Sequence, residues 1–184
     1  KENYKNLHAC DINDNTIKNI KKKYKFINIS KGSCLKLPYK KNSFDFVICY
    51  GVIHHTHNYS LALKELSRIL KKNGTLFLGV YAFYGSLFEY LVRIFRWMGK
   101  KIDYKYFEII AKKWPLFNRF FMDHTYVPIL YLIHRKKIIE KAYKAKLFKY
   151  EEFSSKTDFF QKIPILNKLI SGDGLLRIYL FRKI

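Results

Sequence analysis

Between Gly32 and Val80 the spacing of apolar positions changes repeatedly, and each change marks an element. Phe44-Asp45-Phe46-Val47-Ile48-Cys49-Tyr50 is almost continuously apolar and rich in aromatic and β-branched residues, which predicts an interior strand covered on both faces. Ala62, Leu63, Leu66, Ile69 and Leu70 then share one face of a helix, while Lys64, Arg68, Lys71 and Lys72 point elsewhere. Asn73-Gly74 supplies the left-handed residue that ends such a helix, and Thr75 to Val80 reads as the next buried strand. Two parallel strands joined by a crossover helix gather their loops, and any ligand, at the strand carboxyl ends. Tyr50, Gly51, His54, His55, Tyr81 and Tyr84 fall there.

The same reasoning extends in both directions. Leu7 to Ile12 reads as a short strand holding Asp11 near its end, and Asn13 to Thr16 offer N-caps for a helix with Ile17, Ile20 and Tyr24 on one side. Phe26 to Ser30 is a further strand, and Gly32-Ser33-Cys34-Leu35 is the turn after it. Beyond Val80, Leu87, Leu91, Ile94, Phe95 and Met98 are spaced for one helix, and Tyr104, Phe107, Ala111 and Trp114 for another. Lys136 to Lys146 predicts a helix with Ile138, Ile139, Ala142 and Tyr143 inward. Leu147 to Phe153 and Leu175 to Arg182 are closing strands, with Ser171-Gly172-Asp173-Gly174 as the turn before the last. Strands alternating with helices predict an α/β fold. No repeat or linker interrupts the chain, so residues 1–184 are expected to form a single domain with a helical lid or insertion at about 85–124.

Composition narrows the function classes. With 49% hydrophobic residues, disorder is excluded. A net charge of +22 invites a nucleic-acid or anionic-membrane partner, yet the lysines are scattered along the chain rather than gathered in one block, which fits a compositional bias as well. Cys10, Cys34 and Cys49 lack metal-type spacing and sit on or beside expected strands, so buried free thiols in a reducing, cytoplasmic setting are expected, with no metal. Thr75 to Phe95 is apolar but holds Glu89 and Arg93, and a membrane span is not expected.

The phrases LPYKKNSFDFVICYGVIHH and ALKELSRILKKNGTLFL resemble the class I S-adenosylmethionine-dependent methyltransferases, in the type-11 group of methyltransferase domains. The likeness is close over Leu7 to Tyr81 and looser beyond. It implies a Rossmann-like, mostly parallel sheet with a closing antiparallel pair, a helical insertion after the fifth strand, and S-adenosyl-L-methionine as cofactor. Carried over by position, Asp11 would bind the ribose, with Ile12 beside it. Ser33, Cys34 and Leu35 would border the adenine, and Tyr50 would meet the methionine part through its backbone. Ser33 stands where the family usually has Asp, which weakens that contact. The family also opens with a strand, an acid and a Gly-x-Gly-x-Gly loop, and no such segment occurs here. The first strand is therefore expected to be missing from the middle of the sheet, and the 184-residue chain is expected to be a fragment that binds the cofactor poorly on its own.

Methyl transfer from a sulfonium needs a positioned acceptor and a route for its proton. His54, His55, His57 and His124 are candidate bases, and strand alternation turns only one of His54 and His55 inward. His55 is the expected catalytic residue. The aromatic insertion favours a small, apolar or lipid-like acceptor methylated at oxygen or carbon, with peripheral contact with an anionic membrane. Two rival readings stand beside it. One is an RNA methyltransferase, since the LPY-to-VIHH phrase is also similar to the tRNA wobble-uridine enzymes; the other is a degenerate, non-catalytic binding module.

Overall fold

The computed structural model describes residues 6–81, 87–103, 105–106, 108–109, 127–155 and 176–184. Its elements are β1 (Leu7–Asp11), α1 (Asp14–Lys23), β2 (Ile27–Lys31), β3 (Phe44–Tyr50), a single 3-10 turn (Ile53–His55), α2 (Tyr59–Ile69) and β4 (Leu70–Tyr81). They continue with α3 (Leu87–Gly99), α4 (Arg135–Lys144), β5 (Leu147–Ser155) and β6 (Leu176–Lys183). β1 and β2 pair in parallel as one small sheet. A second sheet has the order β3-β4-β6-β5, parallel between β3 and β4 and antiparallel around β6. The α/β class and the crossover through α2 are those expected from the pattern, and the closing antiparallel pair is the one the resemblance implies. The turn at Ser171 to Gly174 lies outside the described residues, as do residues 110–124 of the expected lid; of the helix expected from Tyr104 to Trp114, Lys105, Tyr106, Glu108 and Ile109 are described and are helical.

The core belongs to the larger sheet. Leu63, Leu66, Leu76, Leu78, Ile138, Leu147, Tyr179 and Phe181 pack together between that sheet and helices α2 and α4. The interior face of α2 is the predicted one, with Ala62, Leu63, Leu66, Ile69 and Leu70 all buried. On α4, Ile138 and Ala142 are buried, but Tyr143 is 52% exposed and turns its ring edge onto Phe148 rather than pointing inward.

Three sequence expectations are corrected. α2 ends at Ile69, before Asn73-Gly74, because tertiary partners take its last carbonyls: the Asn42 and Ser43 amides donate to Arg68 and Ile69, and Lys183 Nζ donates to Leu70 at 2.6 Å. Asn73 does adopt a left-handed φ of 64°, but within an irregular start of β4, where the pairing jumps from Phe44↔Leu70 to Phe46↔Thr75. Second, Phe44–Tyr50 is not covered on both sides. It is the edge of its sheet, with Phe46 52%, Ile48 66% and Tyr50 50% exposed. Third, β2 starts one residue late, leaving Phe26 68% exposed against Tyr24 rather than in the sheet.

The edge character of β3 has a visible cause. β1 lies beside it, with the His8 and Phe44 rings 5.5 Å apart, but the two strands share no ladder. A cavity of about 390 Å3 lies between them, lined by Leu7, Ala9 and Cys10 on one side and Phe46, Ile48 and Cys49 on the other.

Two local features carry predictions. Lys146, just past α4, has φ of 61°, a conformation that strains any residue with a Cβ by about 1 kcal/mol, and its side chain is exposed. Lys146→Gly is expected to raise the thermal midpoint in spite of the added chain freedom. Glu152 on β5 receives hydrogen bonds from Arg135 of α4, Lys149 and Arg177 of β6. Burial pushes its pKa up, but those three donors outweigh it and bring the group down to about 2. A carboxylate with a depressed pKa stabilises the fold above its unfolded value and loses that contribution as pH falls. Glu152→Gln is therefore expected to cost about 2 kcal/mol at neutral pH. In parallel urea titrations the difference from wild type should shrink between about pH 4.5 and pH 2.

Candidate functional site

The site assembles at the carboxyl rim of β1, β2 and β3. Asp11 closes β1, and its position is fixed twice. Its backbone carbonyl accepts the Gly32 amide at 3.0 Å, and its Oδ1 accepts the Asn13 amide at 2.8 Å. Asn13 in turn caps α1, taking the Asn15 and Thr16 amides at 2.9 and 3.2 Å. One carboxylate oxygen thus anchors the turn, which leaves Oδ2 for an incoming group. Ile12 beside it is 68% exposed.

Gly32 puts the next turn against Asp11. A Cβ there would sit 2.6 Å from Pro38 Cδ and 3.1 Å from Cys10 Sγ, so only glycine lets the chain pass beneath Pro38. Ser33 follows at once. Its carbonyl accepts the Lys36 amide and its Oγ accepts the Leu35 amide at 3.2 Å, which folds Ser33 to Lys36 into a tight turn. Cys34 and Leu35 are half-buried and pack on the core. Asp11 and the Ser33-Cys34 corner are consequently neighbours on one rim.

The third contribution comes from across the cavity. Tyr50 ends β3 opposite Gly79, and its ring lies flat on that glycine, where a Cβ would come within 2.6 Å of Cδ2. Gly51, with φ of 74°, turns the chain into the Ile53–His55 turn. Of the two histidines it is His54 that is buried, its ring 4.2 Å from that of His55 and 4.3 Å from that of Tyr81. His55 stays half-buried at the rim, with Nδ1 2.9 Å from the Ile129 carbonyl oxygen. A carbonyl only accepts, so that bond places the proton of a neutral His55 on Nδ1 and leaves the lone pair on Nε2. The Tyr131 amide donates to the His54 carbonyl at 2.8 Å, so residues 129–131 strap the turn in place. His124 and Tyr84 lie outside the described residues.

All three thiols border the cavity. Burial pushes each upward, Cys49 to about 12, and Cys10 donates from Sγ to the Gly32 carbonyl, so they are neutral packing groups rather than nucleophiles. No group of three metal-ligating side chains occurs among the described residues. No described helix is long and apolar enough to cross a membrane.

Two participants escaped the sequence reading. The Tyr39 hydroxyl donates to the Ala9 carbonyl of β1 at 2.6 Å. Its backbone is held from α2 by Arg68, which donates to the carbonyls of Leu37 and Tyr39 while Glu65 accepts both Arg68 and the Leu37 amide. The Glu65/Arg68 spacing of three residues on a helix was a signal for the ion pair, but nothing in the sequence pointed it at Leu37-Pro38-Tyr39.

The surroundings of Asp11 suit an adenosine: a fixed carboxylate oxygen, an adjacent turn with a hydroxyl, and apolar walls. The sequence pattern of the family described as "Methyltransferase domain" matches residues 1–78. An uncharacterised protein of Methanocaldococcus jannaschii is 34% identical over 135 residues, covering 73% of this chain and 58% of its own length. A demethylmenaquinone methyltransferase of Staphylococcus haemolyticus is 32% identical over 71 residues, which is 37% of this chain and 30% of that enzyme. The chain thus spans little more than half of the first relative and less of the second. A Haloferax volcanii methyltransferase solved with the Trm112 methyltransferase activator superposes with a TM-score of 0.66 at 14% identity, covering 97% of this chain and 72% of that one. Residues 1–78 thus carry the pattern of the methyltransferase domain family, and the fold is the one seen in solved S-adenosylmethionine-dependent methyltransferases.

Proposed function

We propose that the protein to which this chain belongs transfers a methyl group from S-adenosylmethionine to a small, apolar or lipid-like acceptor. The observation that carries the reading is the Asp11 carboxylate, locked at the end of β1 beside the Ser33-Cys34 turn. The bound cofactor supplies an electrophilic methyl group on a sulfonium. Asp11 would accept the ribose hydroxyls chiefly through Oδ2, since Oδ1 already takes the Asn13 amide, and a neutral side chain would match that charged acceptor poorly. Ser33, Cys34 and Leu35 border the base, and Tyr50 presents backbone to the methionine part. His55, with its lone pair directed to Nε2, takes the acceptor's proton as the new bond forms.

The apolar acceptor is supported by the relatives named for demethylmenaquinone and by α3, where Tyr90, Ile94 and Trp97 stand 63%, 52% and 60% exposed. Lys101 lies 4.1 Å over the Trp97 ring, and this mixture of aromatic and cationic groups suits peripheral contact with an anionic membrane. The RNA reading draws on the net charge of +22 and on the Trm112 partner of the Haloferax protein. A salt series of RNA binding separates the two, since phosphate contacts give a steep salt slope and an apolar acceptor gives none. The non-catalytic reading rests on Ser33, which accepts fewer hydrogen bonds than a carboxylate; label transfer from methyl-labelled donor into lipid, small-molecule or RNA extracts would dispose of it.

In the whole protein, Asp11→Ala is expected to weaken S-adenosylmethionine binding by about 10- to 100-fold in calorimetry, the loss of a charged hydrogen-bond acceptor. His55→Gln is expected to lower kcat by about 100-fold while leaving the cofactor Kd within about twofold. A parallel loss of both quantities would instead give His55 a purely structural place.

A further inference from the structure

We infer that Arg96 of α3 is a positioning residue for His55, acting through the strap at residues 127–131. The inference rests on the reading of His55 as the base and deepens it, since it names what keeps that base in its proton-accepting form.

Residues 127–134 form neither helix nor strand, so no regular ladder of backbone bonds fixes where they run. Bonds to neighbouring elements do so instead, and they fall at alternate residues. Arg96 Nη1 donates to the Val127 carbonyl at 3.1 Å, His55 Nδ1 lies 2.9 Å from the Ile129 carbonyl oxygen, and the Tyr131 amide donates to the His54 carbonyl at 2.8 Å. Further on, Ile133 is buried in the main core, and His134 caps α4 by accepting the Lys136 amide at 3.1 Å. The strap is thus anchored to the core at its carboxyl end, held to the histidine turn in its middle and tied to α3 at its amino end.

Two features carry the Arg96 tie through to His55. Burial pushes the Arg96 pKa down, so the guanidinium meets the Val127 carbonyl partly sheltered from water, and a charge-assisted bond there is stronger than a neutral one. Pro128 then stands between Val127 and Ile129. Its ring fixes its own φ and restricts the residue before it, so the carbonyl that Arg96 holds and the carbonyl that His55 meets are joined by a stiff link. Displacing the first displaces the second.

The consequence is chemical. The Ile129 carbonyl can only accept, so its presence at Nδ1 keeps the proton of a neutral ring there and the lone pair on Nε2. Once that carbonyl drifts out of range, the proton is free to move to Nε2, and the ring then offers the acceptor a donor in place of a base. Arg96 lies on a different side of α3 from the exposed Tyr90, Ile94 and Trp97, so its bond can be removed without altering that outer face.

Isotope-labelled histidine reads the tautomer directly, through the ring nitrogen shifts of the whole protein in mildly alkaline buffer. Arg96→Met keeps an apolar stem and removes the donor. It is expected to convert His55 from the Nδ1-protonated form to a mixture of both tautomers. It is also expected to slow methyl-label transfer into lipid extract by about 10-fold, with the Kd for S-adenosylmethionine within about twofold. Arg96→Lys restores a charged donor and should recover most of both losses. Pro128→Gly loosens the link with the Arg96 donor in place, and should give the same tautomer mixture. An unchanged tautomer in Arg96→Met, or in Pro128→Gly where Arg96→Met does not fold, overturns the inference. So does a loss of transfer that Arg96→Lys fails to recover, which would give Arg96 a merely structural place. A tautomer shift with transfer intact would uphold the coupling and count instead against His55 as the base.

Discussion

The Glu65–Arg68 pair on α2 is the interaction on which the arrangement of the two sheets turns. Arg68 is held by Glu65 and donates onward to the carbonyls of Leu37 and Tyr39, and Glu65 takes the Leu37 amide. Salt bridges at a surface contribute little because water screens them and the side chains lose freedom. This one differs because it is shielded in part and uses nearly every donor of the guanidinium, with the Arg68 bond as the chief cause of the lowered Glu65 pKa. Its effect is to bind a helix of the large sheet to the Leu37-Pro38-Tyr39 segment. That segment lays Pro38 over Gly32 and the Tyr39 hydroxyl on Ala9, so the small sheet is held in position by way of α2.

Stability is distributed unevenly as a result. The main buried cluster draws on β3, β4, β5, β6, α2 and α4 and takes no residue from β1 or β2. The small sheet has little beyond Ile17 and Ile29 fully inside it. Segments with few buried apolar contacts open at lower free energy than the core. The half that carries Asp11 and Ser33 is the pliable half, while the turn that carries His55 is seated on the rigid one.

Much of this was legible because it rests on local rules. The helical face of α2, the Asn13 cap and the strong strands at Thr75 to Val80 and Leu176 to Phe181 follow from spacing and side-chain chemistry alone. The adjacency of Asp11 and Ser33 was also foreseeable, because consecutive parallel strands end on the same rim. What escaped depends on groups distant in the chain. Ile69 ends α2 because Asn42, Ser43 and Lys183 come to it, and no reading of Asn73-Gly74 could contain that. The sequence of β3 describes a strand enclosed on both sides, whereas among the described residues it has one paired neighbour, β4. Its composition records the environment for which it is suited.

The place of β6 carries a kinetic consequence. It lies between β4 and β5 in space but follows both in sequence, and Lys183 reaches back across 113 residues to the carbonyl of Leu70. Until β6 has been synthesised, β5 has no strand to pair with and β4 lacks its antiparallel side. Contacts of such long range make assembly slow, since much of the chain must be ordered before they form. During translation β4 and β5 would present unpaired edges to one another until β6, the strand that joins them, emerges.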